Sequence, residues 1–163
     1  MSATSLAARS RNPLRFLVLL ATLCGSTACT ALFEEDAPPE AFVQHARAIL
    51  GDVDFTLFHV PSRGLLRDRQ YIEACRVGQP PDHLAGKLAD VLRRGVDGQA
   101  TVCVAGAGSE KTASVLEDAF DQLGPVQLPG LDLVVIVERH HEYAVRHAAR
   151  RSGCQLRVSI LER

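Results

Sequence analysis

The chain has 163 residues, with 18 lysines and arginines against 19 aspartates and glutamates, for a formal net charge of −1. Three of the basic residues, Arg9, Arg11 and Arg15, lie in the first 28 positions, which hold no acid, so the rest of the chain carries fifteen basic and nineteen acidic side chains, or −4. With no basic block left, the chain lacks the electrostatic footprint of a nucleic-acid-binding protein. It has no tryptophan and only 5 % aromatic residues, which argues against stacked platforms for sugars or bases.

The stretch from Leu14 to Cys29 reads LRFLVLLATLCGSTAC. Arginines lead into it, Phe16 to Leu23 form an apolar core broken only by Thr22, and small residues follow. A basic segment, a short apolar segment and a small-residue cleavage zone make the layout of a secretory signal peptide over residues 1–28. The apolar run falls short of the roughly 20 residues a membrane-spanning helix needs. Ser26-Thr27-Ala28-Cys29 resembles the lipobox of bacterial lipoproteins, in which the chain is cut before a cysteine that becomes diacylated. Thr27 and Ala28 suit that pattern, whereas Ser26 stands where an aliphatic residue is usual. Cys24 fits worse, because bulky Leu23 precedes it, and ordinary cleavage after Ala28 is the alternative. The resemblance implies lipidation at Cys29. With Thr30 rather than aspartate next, it also implies anchoring to the outer membrane, facing the periplasm. Residues 29–37, including Glu34-Glu35-Asp36-Ala37, then read as a polar tether.

Beyond the tether, residues 38–163 are expected to form a single domain; roughly 120 residues suffice for one core. Pro38 to Leu50 predicts a helix with an apolar stripe of Ala41, Phe42, His45, Ala46 and Ile49, ended by Gly51. Asp54 to Val60 is β-branched and aromatic, hence a strand. Pro61, Ser62 and Gly64 break it, and Leu65 to Cys75 predicts a short helix. Asp82 suits the N-cap of a helix carrying Leu84, Leu88, Val91 and Leu92, stopped by Gly95. Thr101 to Ala105 predicts a strand, Gly106-Ala107-Gly108 a turn, and Ser109 the cap of a helix burying Ala113, Leu116, Ala119, Phe120 and Leu123. Leu131 to Val137 is almost wholly apolar and predicts the central, least exposed strand. A helix from about His141 to Ser152 follows, and Leu156, Val158 and Ile160, alternating with Arg157 and Ser159, predict an edge strand. Strands alternating with helices point to an α/β fold. The expected architecture is a three-layer sandwich, with a small, mostly parallel sheet of about four strands and helices on both faces.

Three cysteines follow Cys29. Cys103 sits in an apolar run and reads as a small core residue. In an oxidising compartment that leaves Cys75 and Cys154 as a candidate disulfide, with an unbonded pair the equal alternative. No Cys-x-x-Cys or Gly-x-Ser-x-Gly motif occurs.

Gly106-Ala107-Gly108-Ser109-Glu110-Lys111-Thr112 lies between a strand and a helix, where a phosphate-binding loop belongs. The spacing fails, because Ala105 and Glu110 occupy the two glycine positions and Lys111 the third glycine of the dinucleotide version. A tight turn is the better reading, and replacing Lys111 is expected to leave the fold nearly unchanged. Helix-start amides together with Lys111 could still hold an anion. Glu138-Arg139-His140-His141-Glu142 is the densest polar cluster and follows the central strand at the edge where open α/β sheets bind ligands. His59, Arg63, Ser109 and Lys111 are expected on the same edge. A metal site from His59, Glu138, His140 and His141 lacks zinc-protease spacing, and adjacent histidines usually point apart.

Two functions follow from this reading. The first is a non-catalytic envelope lipoprotein, attached to the membrane through its lipid and docking with an envelope protein in a secretion, polysaccharide-export or conjugation machine. The second is a small-ligand or anion-binding module, or an enzyme, working through Ser109, Lys111, Glu138, Arg139, His140 and His141. Neither calls for a metal or cofactor.

Overall fold

The computed structural model describes residues 39–81, 83–98 and 100–162. The expected signal peptide, Cys29, the expected 29–37 tether and the expected Asp82 cap lie outside the described residues. The elements, in chain order, are α1 (Pro39–Leu50), β1 (Phe55–Val60), α2 (Leu65–Arg76), α3 (Leu84–Asp97), β2 (Thr101–Gly106), α4 (Ser109–Leu123), β3 (Asp132–Val137), a 3-10 turn (Arg139–His141), α5 (Glu142–Ala149) and β4 (Gln155–Ile160). The four strands form one all-parallel sheet in the order β1-β2-β3-β4. Among the described residues no helix is long and apolar enough to cross a membrane.

The sequential order dictates where the helices go. Each crossover steps to the next strand in the same direction. Right-handed connections that never reverse direction all fall on one face of the sheet. Accordingly α2, α3, α4 and α5 share one core with that face, where Val102, Val104, Leu133 and Val135 meet Leu88, Leu92, Leu116 and Val145. The other face has α1 alone: Phe42, Ala46 and Leu50 pack on Cys103, Ala105, Val134 and Ile136. The fold is thus the expected three-layer α/β sandwich with unequal outer layers. The strand residues alternate between the two cores, as a period of two requires.

Helix α1 runs antiparallel to the strands. Its Phe42 ring lies 5.6 Å from that of His59, the penultimate residue of β1. His45 Nε2 is 3.1 Å from Ser159 Oγ, penultimate in β4. The start of α1 therefore lies at the carboxyl edge of the sheet, and its end at the amino edge, where Gly51 turns the chain into β1 at a φ of 67°.

Several boundaries differ from the sequence reading. The inward stripe of α1 is Phe42, Ala46 and Leu50; Ala41 and Ile49 face out. Gly95 does not stop α3, which continues to Asp97. A β-carbon at Gly95 would come within 2.7 Å of Leu131 Cδ1, so this glycine serves close helix-to-sheet packing. Helix α5 ends at Ala149 rather than near Ser152. Strand β3 shares the centre with β2, and β2 is the less exposed of the two, with all six residues buried. Two central strands result because a four-stranded sheet has two inner positions, each covered on both faces. Strand β4 is at an edge as expected, and β1 forms the other.

Val135 is fully buried, whereas Arg157 is exposed and pairs with Asp132 on the neighbouring strand. Val135→Asp buries an unpaired carboxylate and is expected to cost about 3 kcal/mol or more, much of a small domain's stability. Arg157→Asp removes one exposed ion pair and sets a second carboxylate near Asp132, each effect worth roughly 1 kcal/mol or less at the surface. Thermal melts of the two variants should rank in that order.

Candidate functional site at the carboxyl edge

The turns that follow β1, β2 and β3 gather at the carboxyl edge of the sheet, and α2 lies across them. Two contacts show this placement. Asp68, in the first turn of α2, meets Lys111, and Arg76, at its far end, meets Glu110. These two α2 residues are more than two turns apart, roughly 12 Å along the axis. They nevertheless reach adjacent residues in the first turn of α4, so α2 crosses the start of α4.

The ion pair of Lys111 and Asp68 fixes this crossing. Lys111 is only 3 % exposed; its ammonium donates to Asp68 Oδ1 at 2.8 Å and to the Pro61 carbonyl at 2.7 Å. It also sits 5.1 Å from the centre of the Tyr71 ring, within cation–π range. Asp68 Oδ1 also accepts the Arg63 amide at 3.0 Å, and Oδ2 accepts the Ser62 hydroxyl at 2.6 Å. Burial alone would raise the carboxyl's pKa. The hydrogen bonds from Lys111, Ser62 and the Arg63 amide, with the lysine's charge, outweigh it and hold Asp68 below its ordinary value.

The glycine turn serves this packing. A β-carbon at Gly106 would lie 2.3 Å from the Val60 carbonyl oxygen and 2.9 Å from Thr112 Oγ1. Thr112 Oγ1 donates to the Gly108 carbonyl at 2.9 Å. Gly108 precedes α4 without a side-chain cap, and Ser109, expected as that cap, is the helix's first residue. The buried Ser109 hydroxyl instead accepts the Glu138 amide at 3.1 Å, tying the turn after β3 to the start of α4.

The six residues predicted to act together therefore divide. Lys111 and Ser109 face inward and are engaged in holding turns. Arg139 and His140 are exposed on the 3-10 turn, with His140 Nδ1 3.6 Å from Glu138 Oε2. These two residues and Glu138 line a shallow cleft of about 310 Å³ with the end of β4. His141 turns toward a separate groove of about 520 Å³, shared with Cys75, Glu110 and Ala144. The adjacent histidine rings do not point apart. Their centres are 4.0 Å from each other on the 3-10 turn. Burial, and then the neighbouring His140, lower the pKa of His141 against the opposing pull of Glu110 and Glu138. His59 lies within β1 against Phe42 rather than beside these histidines.

Strand order has a chemical consequence here. Ligand crevices in open α/β sheets form where the order reverses and two adjacent turns splay to opposite faces. This sheet has no reversal. Among the described residues no group of three or more histidine, cysteine or acidic side chains is placed to hold a metal ion. Cys75 and Cys154 are not joined in a disulfide. Cys75 lies on α2 and Cys154 just before β4, with α4 and α5 packed between. Burial pushes the Cys103 thiol up to about 12 and raises that of Cys154, which leaves both as unreactive thiols.

Sequence reasoning missed Asp68 and Tyr71 as partners of Lys111, and Ser62 as a partner of Asp68. The available signal was an aspartate just inside a helix that follows a strand-ending Pro-Ser-Arg-Gly. Comparison with family models, with curated proteins and with solved structures gives no match.

The sequence reading expected Lys111 to be replaceable with little effect on the fold; its burial against Asp68 makes it part of the packing. Lys111→Met strands the Asp68 carboxylate and is expected to cost about 3–5 kcal/mol, measured by urea unfolding. Acidification should act through the same groups. Because their pKa values are lowered by folding, the stability they contribute is complete above the unfolded values and is lost as pH falls through the folded ones. That loss begins in the ordinary histidine range for His141 and completes below the ordinary aspartate range for Asp68. Asp68→Asn should abolish the lower limb of the stability-against-pH curve.

Proposed function

We propose that this chain is an envelope lipoprotein, acylated at Cys29 and held on the periplasmic side of the outer membrane, whose domain is a non-catalytic docking or assembly component of an envelope machine. Secretion, polysaccharide export and conjugation machinery are the settings such a component suits. The observation that carries the reading is the run from Arg9 to Cys29, with its arginines, short apolar core and Thr27-Ala28-Cys29, followed directly by a polar tether.

The carboxyl edge supports it from a second direction. Ser109 and Lys111, the groups best placed by sequence to hold a ligand, are committed to Glu138 and Asp68. The sequential sheet also provides no reversal of strand order beside them. What the domain offers instead is a rigid surface on a short leash.

The test is the mass of the native chain. The protein extracted from membranes with detergent should begin at an acylated Cys29 and co-purify with its envelope partner in fixed stoichiometry. Cys29→Ser should accumulate as precursor or leave the membrane fraction. An unmodified N-terminus following Ala28 in the membrane-derived protein would overturn the lipid anchor.

A further inference from the structure

The outward surface of α2 has an unusual composition for a helix that caps a domain. Leu65 and Leu66 are 62 % and 64 % exposed, and Val77, just past the helix, is 70 % exposed. Arg67 and Arg69 are exposed beside the leucines, and neither pairs with an acid among the described residues. The acids on the same edge are largely engaged: Glu73 and Glu110 pair with Arg76, Glu142 pairs with Arg146, and Asp68 is buried against Lys111. Exposed Arg139 lies on the same edge. Tyr143, in the first turn of α5 and 80 % exposed, adds an amphipathic ring. Exposed leucines beside exposed arginines at one end of a domain suit the boundary between lipid headgroups and water. The leucines enter the headgroup region and the guanidinium groups meet phosphates.

The length of chain outside the described structure identifies what covers this surface. On the lipoprotein reading, ten residues, 29–38, run from the acylated cysteine to the start of α1. Fully extended, they reach at most about 35 Å, and as a flexible chain about half that. The start of α1 lies at the carboxyl edge, as Phe42 against His59 and His45 against Ser159 require. The leash therefore leaves the domain from the same edge that α2 caps. A tether this short keeps that edge close to the lipid surface at a high effective concentration, so even weak contacts are populated.

We propose that α2 is a membrane-docking helix: the carboxyl edge lies on the anionic phospholipid surface, with Leu65 and Leu66 inserted among the headgroups and Arg67 and Arg69 on lipid phosphates. This rests on the lipoprotein reading. It orients the domain, leaving the amino edge of the sheet facing away from the membrane toward a protein partner.

The absence of tryptophan from the chain makes the test direct. One variant carries Leu66→Trp at the docking edge, and a second carries Val126→Trp, beyond the far end of α4 at the amino edge. Each mature chain is mixed with phosphatidylethanolamine vesicles containing phosphatidylglycerol and brominated acyl chains, once as the native lipidated protein and once with Cys29→Ser. Flotation with neutral vesicles reads the anchor alone, and indole quenching reads the orientation. The expected result is a blue-shifted, quenched indole at position 66 and an unquenched one at 126. The ratio of quenching should fall to unity when Arg67→Glu and Arg69→Glu are added. Quenching at 66 no greater than at 126, in lipidated chains that float, would overturn the docking helix and leave the lipoprotein reading intact. Loss of flotation with selective, salt-sensitive quenching at 66 retained on anionic vesicles would overturn the anchor and support the helix. An exposed indole at 66 that becomes protected only in the detergent-extracted protein complex would assign the surface to a protein partner and overturn the proposal.

Discussion

The buried ion pair between Lys111 and Asp68 is the interaction on which the arrangement of the carboxyl edge depends. A lysine ammonium almost wholly removed from water is tolerated only with a counter-charge and further hydrogen-bond acceptors, and here Asp68 and the Pro61 carbonyl supply both. The carboxylate in turn draws in the Ser62 hydroxyl and the Arg63 amide, so the turn after β1 is set by the same pair. One interaction thus couples β1, α2 and α4. It also holds α2 across the top of the helical layer, and its inward-facing Asp68 and Tyr71 leave Leu65, Leu66 and two arginines outside.

A second constraint is topological. Because the strands follow one another without reversal, the handedness of the crossovers stacks four helices on one face and leaves α1 to close the other. A single twelve-residue helix can cover the middle of a four-stranded sheet, and small Cys103 and Ala105 let it approach closely. The same winding withholds the crevice that a reversal would create. The position of α1 before β1 has a further effect, since it returns the N-terminal connection to the carboxyl edge. Chain order thus brings the N-terminal connection to the edge that α2 caps.

Much of the fold was legible in the residues. Hydrophobic runs of strand length, separated by helical patterns ending in glycine, specified the number and type of elements, and the alternation in β4 marked an edge strand. Where the reading failed, the local signal was shared by two structures. Gly95 resembles a helix stop and is a close-packing site against Leu131. Ser109 resembles an N-cap and instead accepts an amide from the turn after β3, 29 residues away. Ala41 and Ile49 fit an apolar stripe on α1, yet a slightly rotated stripe through Leu50 suited the surface presented by β2 and β3.

The sequence by itself determined the alternation of strands and helices and the apolar interior of β2 and β3, and it holds the lipobox-like start from which the functional proposal grows. These follow from periodicity and composition, which are properties of neighbouring residues. Only the tertiary structure decided that Lys111 is buried against Asp68, that two adjacent histidines meet while the rest of the predicted cluster disperses, and that α2 crosses the carboxyl edge. Each of those depends on a partner dozens of residues distant, as Asp68 is from Lys111, and burial becomes visible only when the fold brings the two together.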